Sequence, residues 1–191
     1  MAEEQLVFAY CDGTRFSFER APKHSESMFG GPMTAEASGI EHGPKPLHMI
    51  ARLGSLHLPV LGRHHLMAVP LIYGMCYDGC RIEYRVDVGG KIELLELRPT
   101  QSSEDWPYLH FPLLLPYVPL RIGETRHCSY AEFAKAFPNM PDTQPAELVV
   151  AVPPPATLGV SLWGIGDDDN VTILFECDLA DRVVAASNLC S

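Results

Sequence analysis

The sequence predicts an α+β domain built mainly on an antiparallel β-sheet, with one principal helix near residues 129–137. Three observations lead there. Seventeen prolines and fifteen glycines punctuate 191 residues, a density that suits short strands and turns better than long helices. Several segments alternate apolar and polar side chains with the period of two that a half-buried strand requires. One segment, "HCSYAEFAKAFPNMPD" at 127–142, instead carries the spacing of a helix.

The elements follow in chain order. "QLVFAY", "CDGT" and "RFSFE" read as a hairpin, two β-rich runs around an Asp-Gly turn. Residues 21–46 are polar, rich in Gly and Pro and without a sustained period, so they are expected to form a mobile loop within a single domain spanning 1–191. "PLHMIARL" returns to a strand pattern. "HHLMAVPLIYGMC" at 64–76 is apolar almost throughout, as a strand covered on both faces would be. Pro70 within it implies a sheet edge, a bulge or a break.

Next, "CRIEYRVDV" places Ile82, Tyr84 and Val86 on one face and Arg81, Glu83, Arg85 and Asp87 on the other. Gly89-Gly90 turns it into "KIELLEL", giving a hairpin over 80–97. Together with the preceding strand this predicts a three-stranded meander. Pro107, Pro112, Pro116 and Pro119 in "DWPYLHFPLLLPYVPL" are expected to exclude both a regular helix and a long inner strand. The helix is marked by a Ser129/Glu132 capping box, by Tyr130, Phe133 and Phe137 at helical spacing, and by Pro138 as its stop. "AELVVAV" is a buried strand broken by the prolines at 153–155. "TLGVSLWGIG", "DDDN" and "VTILFECDL" then read as strand, turn and strand.

Composition restricts the function classes. A formal charge of -10 disfavours nucleic acid and anionic lipid as partners, since both need a cationic face. No run of about 18 apolar residues is present to span a bilayer. Glu3 and Glu4 stand where a secretory leader carries Lys or Arg, so the chain is expected in the cytoplasm. There its cysteines, at 11, 76, 80, 128, 177 and 190, stay mostly reduced.

"LIYGMCYDGCRIEYR" at 71–85 holds the strongest hint of chemistry. Cys76 and Cys80, with His64 and His65 upstream, are the residues that would hold a metal. However, the two cysteines are separated by three residues, one more than in a zinc knuckle, and no second pair exists. Asp78-Gly79 favours the tip of a hairpin, in which both thiols are expected to react with alkylating agents if the turn is exposed. "GDDDN" lacks the spacing of a calcium loop, and "MFGGPM" lacks a phosphate-binding glycine pattern. No cofactor is expected. Cys128 directly follows His127 and precedes the helix; a thiol- or metal-dependent hydrolase built on such Cys and His residues is the alternative reading.

Three motifs resemble the YwqG-like family of bacterial proteins, a domain family of unknown function: "FGGPM", "KPLHMIARLGSL" at 45–56, and "SLWGIGDDDNVTILFECDL" at 161–179. Two features depart from its pattern. Arg52 stands where that family usually has glutamine, and Ile165-Gly166 separates Trp163-Gly164 from Asp167. The resemblance implies an antiparallel, β-rich α+β fold and no established catalytic residues.

The favoured reading is a non-enzymatic, acidic, protein-binding domain of the inhibitor or immunity type, facing a partner with a basic surface. Glu83, Asp87, Glu104, Asp105 and Asp167, Asp168 and Asp169 would supply the field, and Trp106 and Trp163 the anchors.

Overall fold

Asp12 and Gly13 both take left-handed backbone, with φ of 51° and 69°. Positive φ at both turn residues matches the twist of the flanking strands, so β1 (Gln5–Cys11) folds directly back onto β2 (Thr14–Arg20), with Cys11 opposite Thr14. The computed structural model describes residues 3–33, 37–40, 47–75, 80–98, 114–159 and 172–189.

Ten further strands join this hairpin. They are β3 (Ser27–Gly31), β4 (Ala37–Gly39), β5 (His48–Gly54), β6 (Ala68–Tyr73), β7 (Arg81–Val86), β8 (Ile92–Arg98), β9 (Leu115–His127), β10 (Leu148–Val152), β11 (Ile173–Asp178) and β12 (Val183–Asn188). Among the described residues they form one sheet in the order β4-β8-β7-β12-β11-β10-β1-β2-β9-β3-β5-β6. Every pairing is antiparallel except that of β4 with β8.

The sheet bends until its β6 edge lies against β7 and β12. The period of two then sorts the central strands between two cores. Leu148, Val150 and Val152 of β10 enter the main core, whereas Val149 and Ala151 face a second core on the other side. This is why "AELVVAV" is uniformly apolar: both of its faces are covered. The second core is closed by α2 (Tyr130–Ala134), whose Phe133 packs tilted against Tyr10 while Phe137, just beyond it, meets Phe8 edge to face, each with ring centroids 5.3 Å apart. A further short helix, α1 (Pro59–Arg63), begins on the proline and connects β5 to β6.

The α+β expectation is therefore corrected: the described chain is essentially all-β, with two five-residue helices. The capping box forms as expected, with the Ser129 hydroxyl accepting from the Glu132 amide and the Glu132 carboxylate from the Ser129 amide. The expected helix over 129–137 nevertheless ends at Ala134. The amides of Ala136 and Phe137 bond three residues back, to Phe133 and Ala134, because Pro138 disfavours helical backbone at the residue before it.

Three other expectations change. Within 21–46, residues 27–31 form β3, buried along its whole length between β9 and β5. β6 and β7 do not pair as meander neighbours; they lie at separate positions in the strand order, although β6 does occupy an edge, as Pro70 implied.

β9 is a thirteen-residue inner strand despite Pro116 and Pro119. Its first half pairs with β3 from Leu115 to Leu120, and its second half with β2 from Leu120 to His127. The Pro119 carbonyl accepts from the Ala21 amide, just past the end of β2. A residue's N–H and C=O point to the same side of a strand. The donor that Pro119 lacks therefore falls where the β2 ladder has already stopped.

The hairpin over 80–97 forms as expected. Ile82, Tyr84 and Val86 are buried, and the Asp87 carboxylate accepts from the amides of Gly89 and Lys91 to shape the turn. No helix among the described residues is long and apolar enough to cross a membrane.

Candidate functional site

Arg52 is the only charged residue between Leu47 and Gly62. It sits on β5, a strand otherwise buried throughout, directly opposite Pro70 of β6 and Met28 of β3. The residue is half-buried, and its guanidinium makes no hydrogen bond or ion pair with the described residues. It lines a cleft of about 270 Å³ together with Met67, Ala68, Pro70, Val88, Gly89 and Gly90.

Local structure explains both apolar rim residues. Met67 precedes β6, and its carbonyl is held by the Ser55 amide at 2.8 Å, leaving the side chain 66% exposed. Val88 stands at the tip of the Asp87 turn, 54% exposed. The turn's polar groups are already engaged, since Gly90 donates to the Asp87 carbonyl and Gly89 and Lys91 to its carboxylate. The cleft thus offers one uncommitted cation with a strong hydrogen-bonding fork and an apolar rim.

The cysteine and histidine candidates do not converge. Cys76 lies outside the described residues. Cys80 is buried, and the Tyr73 hydroxyl donates to its carbonyl at 2.8 Å. Burial pushes the Cys80 thiol up to about 12, so it is neither a ready nucleophile nor open to alkylation. His64 caps the end of α1 and reaches the Glu147 carboxylate at 2.9 Å, whereas His65 is exposed with a φ of 58°. Among the described residues, no three His, Cys, Asp or Glu side chains gather as metal ligands.

His127 and Cys128 also separate. The His127 ring nitrogen Nδ1 meets the Thr14 hydroxyl at 3.1 Å, while Cys128 packs against the second core and its carbonyl accepts from the Tyr10 hydroxyl. One Ser–His contact went unseen in the sequence: Ser27 Oγ lies 2.7 Å from His57 Nδ1 and accepts from the Gly54 amide. Ser27 is fully buried, so this pair fastens β3 to the end of β5.

Glu83 is half-buried on the outer face of β7. It lies between Arg81 and Arg85 along the strand and directly opposite Glu96 of β8. That face therefore carries both signs. Asp87 is exposed, but its carboxylate serves the turn. Glu104, Asp105, Trp106, Trp163, Asp167, Asp168 and Asp169 lie outside the described residues.

No protein-family model, curated protein or solved structure matches the chain, so its functional reading rests on the geometry and the charge.

Proposed function

We propose that this chain is a non-enzymatic, cytoplasmic protein-binding domain, of the inhibitor or immunity type, that recognises a partner with a basic surface. The observation that carries the reading is the meeting of Met67 and Val88, each more than half exposed, at the rim of one cleft. Leu56, 82% exposed, belongs to the same connection, next to the Ser55 amide that holds the Met67 carbonyl. Apolar side chains presented together in this way serve as anchors when a partner covers them.

Charge distribution supports the choice of partner. Among the described residues, thirteen lysines and arginines stand against sixteen aspartates and glutamates, a balance of -3. The remaining -7 of the chain's -10 comes from eight acidic residues and one lysine in the segments outside them. Glu104, Asp105 and Asp167 to Asp169 belong to those segments, as do Trp106 and Trp163. Such a field speeds the approach of a basic partner more than it holds the complex together.

The test is a pull-down from the native cell at low and at high salt, using the natural chain and a Met67→Asp/Val88→Asp variant. A basic protein retained at low salt, weakened as salt rises and lost with the variant supports the reading. A partner indifferent to both changes overturns it. So does the absence of any partner together with a turnover that Cys128→Ser abolishes.

A further inference from the structure

Arg52 is the chemically distinctive part of the cleft. A guanidinium with no partner among the described residues is unusual beside so much buried surface, because its five donors are best satisfied by a planar acceptor. Of the backbone around it, the Gly89 and Gly90 amides already serve Asp87, and Pro70 has no N–H to offer. The remaining lining is apolar, from Met67 and Val88 at the rim to Ala68 and Pro70 beneath. We propose that this cleft is a binding subsite for a small amphipathic carboxylate, with Arg52 gripping the carboxylate through paired N–H donors and Met67 and Val88 covering a branched aliphatic or aromatic group.

Each element of the ligand follows from the site. A carboxylate matches the Arg fork in a bidentate, charge-assisted contact. A volume of about 270 Å³ is just below the usual run of ligand pockets, roughly 300 to 1,000 Å³, so it suits one side-chain-sized group better than a nucleotide or flavin. Exposed charges are screened beyond about 8 Å at physiological ionic strength, so the groups beside the cleft bear on a bound anion more than the chain's net charge of -10 does. The nearest acid of the lining turn, Asp87, has its carboxylate engaged by two amides, with Lys91 beside it. The subsite goes beyond the protein-binding reading and does not require it: free acids and the C-terminal residue of a peptide share this chemistry.

The experiment follows backbone amide shifts of the full chain during titration with 4-methylpentanoate and with the tripeptide Gly-Gly-Leu, alongside the corresponding primary amides. Saturable shifts at residues 52, 67, 68 and 88–90 with both acids, and not with their amides, are expected. Tighter binding of the tripeptide assigns the subsite to chain termini, and tighter binding of the free acid to small molecules. Arg52→Gln should weaken binding at least about tenfold, the loss of a charge-assisted pair, with the remaining spectrum unchanged. Arg52→Lys, which keeps charge without the fork, should fall between. Amides that bind as well as acids, an affinity unchanged in both Arg52 variants, or no saturable shift for either acid would overturn the assignment.

Discussion

The Tyr84 hydroxyl donates to the Pro70 carbonyl at 2.8 Å and accepts from the Ile72 amide at 3.1 Å. A carbonyl and the amide two residues later are the pair that one residue of a neighbouring parallel strand would bind. A single side chain thus stands in for a missing strand along the β6 edge, and Tyr84 itself is fully buried. Burial also holds its phenol well above the usual range, so the hydroxyl stays a donor. Tyr84→Phe would leave a buried N–H and C=O without partners, and should cost roughly 1–3 kcal/mol in urea unfolding. Faster amide exchange at Ile72 would locate the damage, and unchanged stability would show the contact to be idle.

Tyr130 provides the contrary case. Its ring packs in the second core beside Tyr10 and Phe133, but its buried hydroxyl finds no partner among the described residues. Burial is the chief reason its phenol is pushed up to about 12, with Glu176 adding to the effect. Tyr130→Phe should therefore be neutral, or stabilising by up to about 1 kcal/mol, because it removes an unpaid desolvation. A clear loss of stability would mean that the hydroxyl has a partner after all.

Gly30 and Gly13 both have positive φ, at 62° and 69°, but their surroundings differ. A Cβ on Gly30 would come within 2.3 Å of the Pro116 carbonyl oxygen, whereas one on Gly13 would meet nothing within 4 Å. Gly13→Ala should cost only the left-handed conformation, about 1–2 kcal/mol. Gly30→Ala adds a clash with backbone between β3 and β9, and should cost clearly more than about 2 kcal/mol. Equal losses in thermal or urea unfolding would count against the close approach.

Elements with local causes were legible in the sequence. The Asp12-Gly13 turn, the Ser129/Glu132 box and the alternation of Ile82, Tyr84 and Val86 each depend on neighbours a few residues away. What depended on distant partners was not. β3 gave no period because both of its faces are buried, and β12 was missed because Ala185, Ala186 and Ser187 are weak strand formers. The prolines of β9 misled because a shift of partner from β3 to β2 along one strand cannot be seen in that strand alone. The Arg52 cleft joins β5, β6 and the β7–β8 turn across the fold. Its one sequence signal was a lone cation in an apolar run.

Cys80 links burial to a measurable pH dependence. Its thiol, with an ordinary value of 9.0, is pushed up to about 12 by burial, with the Gly74 backbone hydrogen bond working the other way. Above pH 9 the unfolded chain gives up this proton while the folded chain keeps it. The folded state then binds more protons, so stability falls as pH rises. The contribution is intact below pH 9 and is lost progressively towards 12. Each fully titrated unit costs about 1.4 kcal/mol, so the loss from this one group should reach about 1.4 kcal/mol by pH 10. Cys80→Ala carries a fixed cost for the small void it leaves but cannot titrate. Urea unfolding between pH 8 and 10 should therefore show the gap between the two proteins narrowing by about 1.3 kcal/mol, with native Cys80 resisting iodoacetamide at pH 8. Parallel stability curves, or rapid native alkylation, would show that the thiol is open to solvent.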